Sequence, residues 1–133
     1  MGEDGDFYVA YSLKKTENFF DIVNYTGTGS AQNVPHNLGA TPGMMWIKEY
    51  GANGQSWIIY HRIIGGTRYL KFDNGGWVLG GGPMFNGQSP SATHFTVNTD
   101  NATNISDCSS FKSVITACTL PEIVFKRIIL NLL

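Results

Sequence analysis

Three histidines, His36, His61 and His94, two cysteines, Cys108 and Cys118, and a thin scatter of carboxylates are what this chain offers to catalysis or metal binding. A zinc or iron site needs three or four ligands brought together, with outer partners holding the imidazoles. None of the three histidines has a second His, Cys or carboxylate at a ligand spacing, so no metal is expected. His36 lies in a Pro35-His36-Asn37 turn, where a ring bonding local backbone is the ordinary arrangement. His61 and His94 read most simply as packing or surface residues. Nucleophilic catalysis has no better footing. Ser56 and His61 would face opposite sides of a strand, and no Gly-x-Ser-x-Gly elbow occurs. Asp21, Glu49 and Asp73 each sit beside a turn, where a carboxylate caps or solvates rather than flanking a glycosidic bond. The run Gly80-Gly81-Gly82 lacks the Lys-Ser/Thr of a phosphate loop. These residues predict no enzyme and no cofactor.

Aromatic side chains are the better functional lead, at 13% of the chain. Trp, Tyr and His offer an apolar face with a polar edge, so a cluster of them is a natural platform for a sugar ring or a protein partner. Trp57, Tyr60, His61, Tyr69 and Trp77 are the candidate ligand- or partner-binding residues. The competing reading is that most of them are packed. Trp46 is expected in the core.

Composition narrows the partners. Charged residues make up only 14% of the 133 residues, against roughly 25% in an average soluble domain. The formal net charge is -1, and the nine Lys and Arg are scattered, so no basic stripe is present to bind nucleic acid. The surface must be rich in Asn, Thr, Ser and Gly, which suits a particle or a sugar-facing protein. The opening MGEDGDFYVAY has neither the basic start nor the apolar stretch of a signal peptide, and no run approaches the ~20 apolar residues that span a bilayer, so no membrane insertion is expected. Gly2 is followed by Asp6 where a myristoylation motif needs Ser or Thr. Free thiols are the simpler reading of Cys108 and Cys118, with a bridge between them as the alternative. Sequons begin at Asn24, Asn101 and Asn104, as expected by chance in an Asn- and Thr-rich chain.

The elements that must position these side chains are short strands. Residues 7–11 place Phe7, Val9 and Tyr11 on one face, and Phe20 shares a face with Ile22 in the next run. Residues 44–47 are apolar on both faces, as in a strand inside a sheet covered on both sides. In residues 57–62, Trp57, Ile59 and His61 face one way, and Ile58, Tyr60 and Arg62 the other. Leu70 and Phe72 share a side before the turn signal Asp73-Asn74-Gly75-Gly76, with residues 77–79 as the partner strand. Residues 94–97 close the series, with Phe95 and Val97 inward. Before residue 100 no segment shows a helical period. The spacing predicts an all-β, antiparallel β-sandwich or small barrel of short strands. All sixteen glycines and all three tryptophans precede residue 90, and the chain changes character near Ser106. This divides it into a β-sandwich module at 1–106 and an atypical C-terminal segment at 107–133. There, Thr119-x-x-Glu122 around Pro121 would cap a short C-terminal helix from about Leu120, although its apolar residues keep to no single helical face.

An ordered set of turn residues and aromatics adds a resemblance. Tyr25-Thr26-Gly27-x-Gly29, then Val34-Pro35-His36-x-Leu38-Gly39-x-x-Pro42, Lys48, Trp57 and Tyr60-His61 resembles a repeat module of bacteriophage tail-fibre and related virion proteins, especially of marine phages and cyanophages. It covers roughly residues 7–106. The resemblance implies a non-enzymatic virion module, part of a tail fibre or similar surface appendage that contributes to host attachment. It further implies a homo-oligomer, with a trimer favoured, assembled in the host cytoplasm and placed on the particle surface. Its partners would be other virion proteins and a host-surface polysaccharide or outer-membrane protein. The repeats it resembles end in a strand like this chain's own residues 5–11. That strand is missing after Ser106, which marks 107–133 as diverged, truncated or frame-shifted. Two other classes remain open: a free carbohydrate-binding module, and a capsid decoration or connector protein that binds only virion proteins.

Overall fold

In the computed structural model, residues 12–49, 55–72, 77–79, 82–106 and 111–117 are described, with backbone alone at 77–79, 82–83 and 111–117. Strands form where apolar and β-branched residues run between Gly, Pro and Asn breaks. In chain order these are β1 (Phe20–Thr26), β2 (Gln32–Pro35), β3 (Met44–Glu49), β4 (Ile58–His61), β5 (Arg68–Lys71), β6 (Trp77–Leu79), β7 (His94–Val97) and β8 (Phe111–Ala117). Two single-turn helices, α1 (Gly82–Phe85) and α2 (Asn101–Asn104), flank β7. A helix this short has no apolar period to read, and for that reason the sequence predicts none before residue 100.

Six strands form one sheet in the order β1-β8-β3-β4-β5-β6, and β2 pairs with β7 in a second. Every pairing is antiparallel. The fold is all-β and sandwich-like, and β1 and β6 are the outer strands of an open sheet rather than neighbours in a barrel. Strand β3 lies inside the sheet, as its two-sided apolar run requires.

The core forms between the layers. Met45, Ile47, Ile58, Tyr60 and Tyr69 face inward from the large sheet, with Val23 and Tyr25 packed alongside. Val34, Phe95 and Val97 come from the small sheet, Met84 and Phe85 from α1, and Ala102 from α2. Edge-to-face ring pairs bridge the layers, Tyr60 to Phe85 at 5.7 Å and Tyr25 to Phe95 at 5.9 Å between centroids. Each such pair adds about 0.5–1.5 kcal/mol to the burial of its rings.

Two expectations change here. The inward face of β1 is Asp21, Val23 and Tyr25, so Ile22 lies on the outer face at 36% exposure. Composition also places a division at residue 106, yet β8 lies inside the large sheet, between β1 and β3. The sheet therefore continues past 106. The expected helix from about Leu120 lies outside the described residues, as does the turn at 73–76, although β5 and β6 pair around that turn.

The Tyr25-Thr26-Gly27-x-Gly29 motif wraps the end of α2. Asp100 caps that helix, its carboxylate accepting from the Ala102 amide at 2.8 Å. Asn104, at its other end, has no exposed surface. The Asn104 side-chain oxygen accepts from Thr28 N at 2.8 Å and Gln32 Nε2 at 2.7 Å, and its amide donates to the Ser30 and Asn98 carbonyls. That fills the four hydrogen bonds an amide side chain can make. The Asn104 carbonyl accepts from Gly29 N at 2.8 Å, and the Tyr25 hydroxyl donates to the Thr103 carbonyl. Gly29 takes a left-handed φ of +70°. A Cβ on Gly27 would lie 2.0 Å from the Ile105 carbonyl oxygen, so backbone meets backbone there.

Gly27→Ala is expected to force this clasp apart at a cost of about 1–3 kcal/mol. Urea unfolding followed by Trp fluorescence, with the exposed Thr99→Ala as reference, measures it. Equal midpoints for the two variants would rule out the clasp as a source of stability.

Candidate functional site

Each histidine is placed by local hydrogen bonds. His36 is buried; its Nε2 donates to the Ser91 carbonyl at 3.2 Å, and its Nδ1 accepts from Leu38 N at 3.3 Å. Those roles require the neutral ring protonated on Nε2. His94 Nδ1 meets the Ser91 and Thr93 hydroxyls at 3.0 and 3.1 Å. His61 Nδ1 accepts from Ile63 N at 3.3 Å, and burial, aided by the charge of Arg62, pushes its pKa down. Among the described residues no three His, Cys, Asp or Glu side chains could hold a metal ion together.

The carboxylates serve the frame. Asp21 is buried on β1, where its Oδ2 accepts from Asn37 N at 2.9 Å, and its Oδ1 accepts from Ile22 N and pairs with Lys15 Nζ at 2.9 Å. This ties the Pro35-His36-x-Leu38 turn to the large sheet, with Leu38 fully buried beneath it. Burial raises the Asp21 pKa, but the Lys15 hydrogen bond, the Asn37 amide and the Lys15 charge together outweigh it and hold the carboxyl below its ordinary value. Glu49, expected at a solvated turn, is instead buried on β3. Asp73, Cys108 and Cys118 lie outside the described residues.

Of the five aromatic candidates, Tyr60 and Tyr69 point into the core, at 1% and 9% exposure. Strand parity decides this, because Tyr60 shares its face with Ile58 and lies opposite Met45. They offer no surface to a ligand. Trp57 and His61 are half-buried, and the Trp77 side chain is outside the description.

The outer face of the large sheet brings together a different set. Cα positions of Ile22, Ile115, Trp46, Ile59, Leu70 and Trp77 line up across all six strands, an apolar row from edge to edge. Trp46 belongs to this face, not to the core between the layers. Its Nε1 donates to the Met44 sulfur at 2.8 Å. Phe72, just after β5 and 43% exposed, sits edge-to-face with Trp46 at 5.2 Å and with Trp57 at 6.0 Å. Lys48 Nζ donates to the Gln55 carbonyl and holds the segment leading to Trp57 against β3. Trp46 was misplaced because its neighbours Met45 and Ile47 are also apolar, so alternation cannot tell its face. Phe72 could have been found, since it lies two residues beyond Leu70 on the same side.

Three rings beside an apolar row form a surface for stacking and burial, the chemistry of binding. The comparisons with known proteins bear on the frame that carries it. A family described as Domain of unknown function (DUF7483) matches residues 3–116. The chain belongs to this family. No curated protein and no solved structure matches it. The DUF7483 match reaches into β8, in keeping with that strand's place inside the sheet. No helix among the described residues is long and apolar enough to cross a membrane.

Two outcomes are expected. Tyr60→Ala should cost roughly 3–5 kcal/mol, whereas Phe72→Ala should cost under about 1.5 kcal/mol and raise acrylamide quenching of tryptophan fluorescence. Unchanged quenching would mean that Phe72 does not shield the tryptophans. For Asp21, a folded-state pKa below the ordinary 3.8 means that the carboxylate's contribution is complete above that pH and is lost as pH falls through the folded-state value. Wild type should therefore exceed Asp21→Asn in thermal midpoint at neutral pH, with the gap closing in acid. A gap independent of pH would exclude the ion pair as its source.

Proposed function

We propose that this chain is a non-enzymatic structural module of a bacteriophage particle, part of a tail fibre or similar surface appendage, that contributes to host attachment. One observation carries the reading. The motif residues that resemble tail-fibre repeats, Tyr25, Gly27, Gly29, His36 and Leu38, serve the frame through the Asn104 clasp and the Asp21-bound turn. A resemblance in framework residues is what a shared structural module would leave. The face those residues do not use presents Trp46, Trp57 and Phe72. That face is the surface offered to a host polysaccharide or outer-membrane protein, on a homo-oligomer held among other virion proteins. Nucleic acid is not among its partners.

The aromatic face also favours a second reading, a free carbohydrate-binding module. Light scattering on the full chain, together with binding of labelled protein to bacterial cells, marine cyanobacteria included, separates the two. An oligomer, a trimer above all, whose saturable cell binding falls at least tenfold in Trp57→Ala or Phe72→Ala supports the attachment module. A monomer that binds a purified glycan transfers the assignment to the free module. An oligomer that ignores cells and glycans but binds purified particle proteins makes it a capsid decoration or connector.

A further inference from the structure

Strand β8 follows every other described strand in sequence, yet it lies between β1 and β3. Those two do not pair with each other. Phe20–Thr26 lies opposite β8 on one side, and Met44–Glu49 on the other, from Phe20↔Ala117 to Glu49↔Lys112. Residues up to Ser106 thus form a slot one strand wide, and its filling arrives afterwards. Because chains fold from the N-terminal side as they are made, the acceptor exists before its donor.

The slot is selective for an extended guest. Two rows of backbone amides and carbonyls line it, and they require a strand between them. Val23 and Ile47 flank the register position of Val114, while Ile22 and Trp46 flank that of Ile115. The far edge of β1 is less available. Thr16 and Phe20 exchange both backbone hydrogen bonds there, at 2.9 Å each, and Gln32 Nε2 donates to the Thr26 carbonyl.

The chain ahead of β8 is anchored, with Gly29 N on the Asn104 carbonyl and Gly27 against Ile105. Only residues 107–110 join Ser106 to Phe111. We propose that in the assembled protein the slot of one copy is filled by β8 of a second copy, exchanged reciprocally. Exchange keeps every residue pair of the register, so no pairing energy is lost, and a short connector favours it. The inference goes beyond the virion reading and does not depend on it: it assigns the oligomer contact to a strand rather than to the aromatic face.

The test traps the strand in place. Asn24 and Ser113 are opposed across β1 and β8, and opposed antiparallel positions lie within the Cα range of about 4.4–6.8 Å that a disulfide spans. Two full-length chains carrying Cys108→Ser and Cys118→Ser, one also with Asn24→Cys and the other with Ser113→Cys, are co-expressed and oxidised. Exchange predicts a disulfide-linked heterodimer as the dominant product on a non-reducing gel. It also predicts intermolecular linkage in a chain carrying both new cysteines. Internally bridged monomer from that double variant, with no heterodimer from the pair, overturns the proposal. So do homodimers as abundant as heterodimers, which would report random collision. Absence of any bridge in the double variant overturns it too, since β8 would then not lie beside β1.

Discussion

A single amide with no exposed surface organises this domain. A buried Asn that leaves a hydrogen bond unmade costs about 1–3 kcal/mol per group, so Asn104 is tolerable only if the chain brings it two donors and two acceptors. It draws them from Thr28, Ser30, Gln32 and Asn98. Meeting that demand fixes the loop between β1 and β2, and through it how the small sheet lies over the large one. Gly27 and Gly29 follow from the same demand. One must bring backbone against the Ile105 carbonyl, and the other must turn left-handed to reach the Asn104 carbonyl.

The second tie between the layers works by charge. Asp21 gives up solvent on β1 and recovers it from the Asn37 amide and Lys15. The turn it holds seats Leu38 and orients His36 toward Ser91 and Leu38 N. Two residues with a chemist's repertoire, a carboxylate and an imidazole, are thereby committed to the frame. The same holds for His94 in its cluster with Ser91 and Thr93. A polar side chain whose partners are all local backbone and hydroxyls has no geometry left for a reacting atom.

The fold class was legible in sequence, and so was the hairpin logic, because alternation and Gly-Asn breaks are local signals. The strand interior to the sheet could be read from Met44, Met45, Trp46 and Ile47 for the same reason. What could not be read was long-range. Pairing of β8 with β1 and β3 joins residues far apart in sequence, and the glycine-poor composition after Ser106 argued for a boundary where the sheet in fact continues. The helices α1 and α2 escaped because one turn carries no period, although Asp100 ahead of Asn101 is a capping signal. Of the aromatic candidates, Tyr60 and Tyr69 failed on parity alone. Shifting by one residue along a strand exchanges core for surface, and two adjacent apolar residues give no way to choose.

That parity also bears on what the domain presents. An inner face closed by eleven buried side chains has no surface to offer, and the polar clasp at α2 has no unused valence at Asn104. The outer face is different in kind. Its apolar row extends from Ile22 to Leu70 and beyond in register, and its rings pack against one another rather than beneath a second layer. Three mutually packed rings hold their orientation before a partner arrives, which lowers the ordering cost of binding. Strand exchange through the β1–β3 slot would leave this face unobstructed, because strands add in the plane of a sheet and partners stack on its surface. Assembly and recognition can then use separate parts of one small domain: backbone edges for the first, aromatic faces for the second.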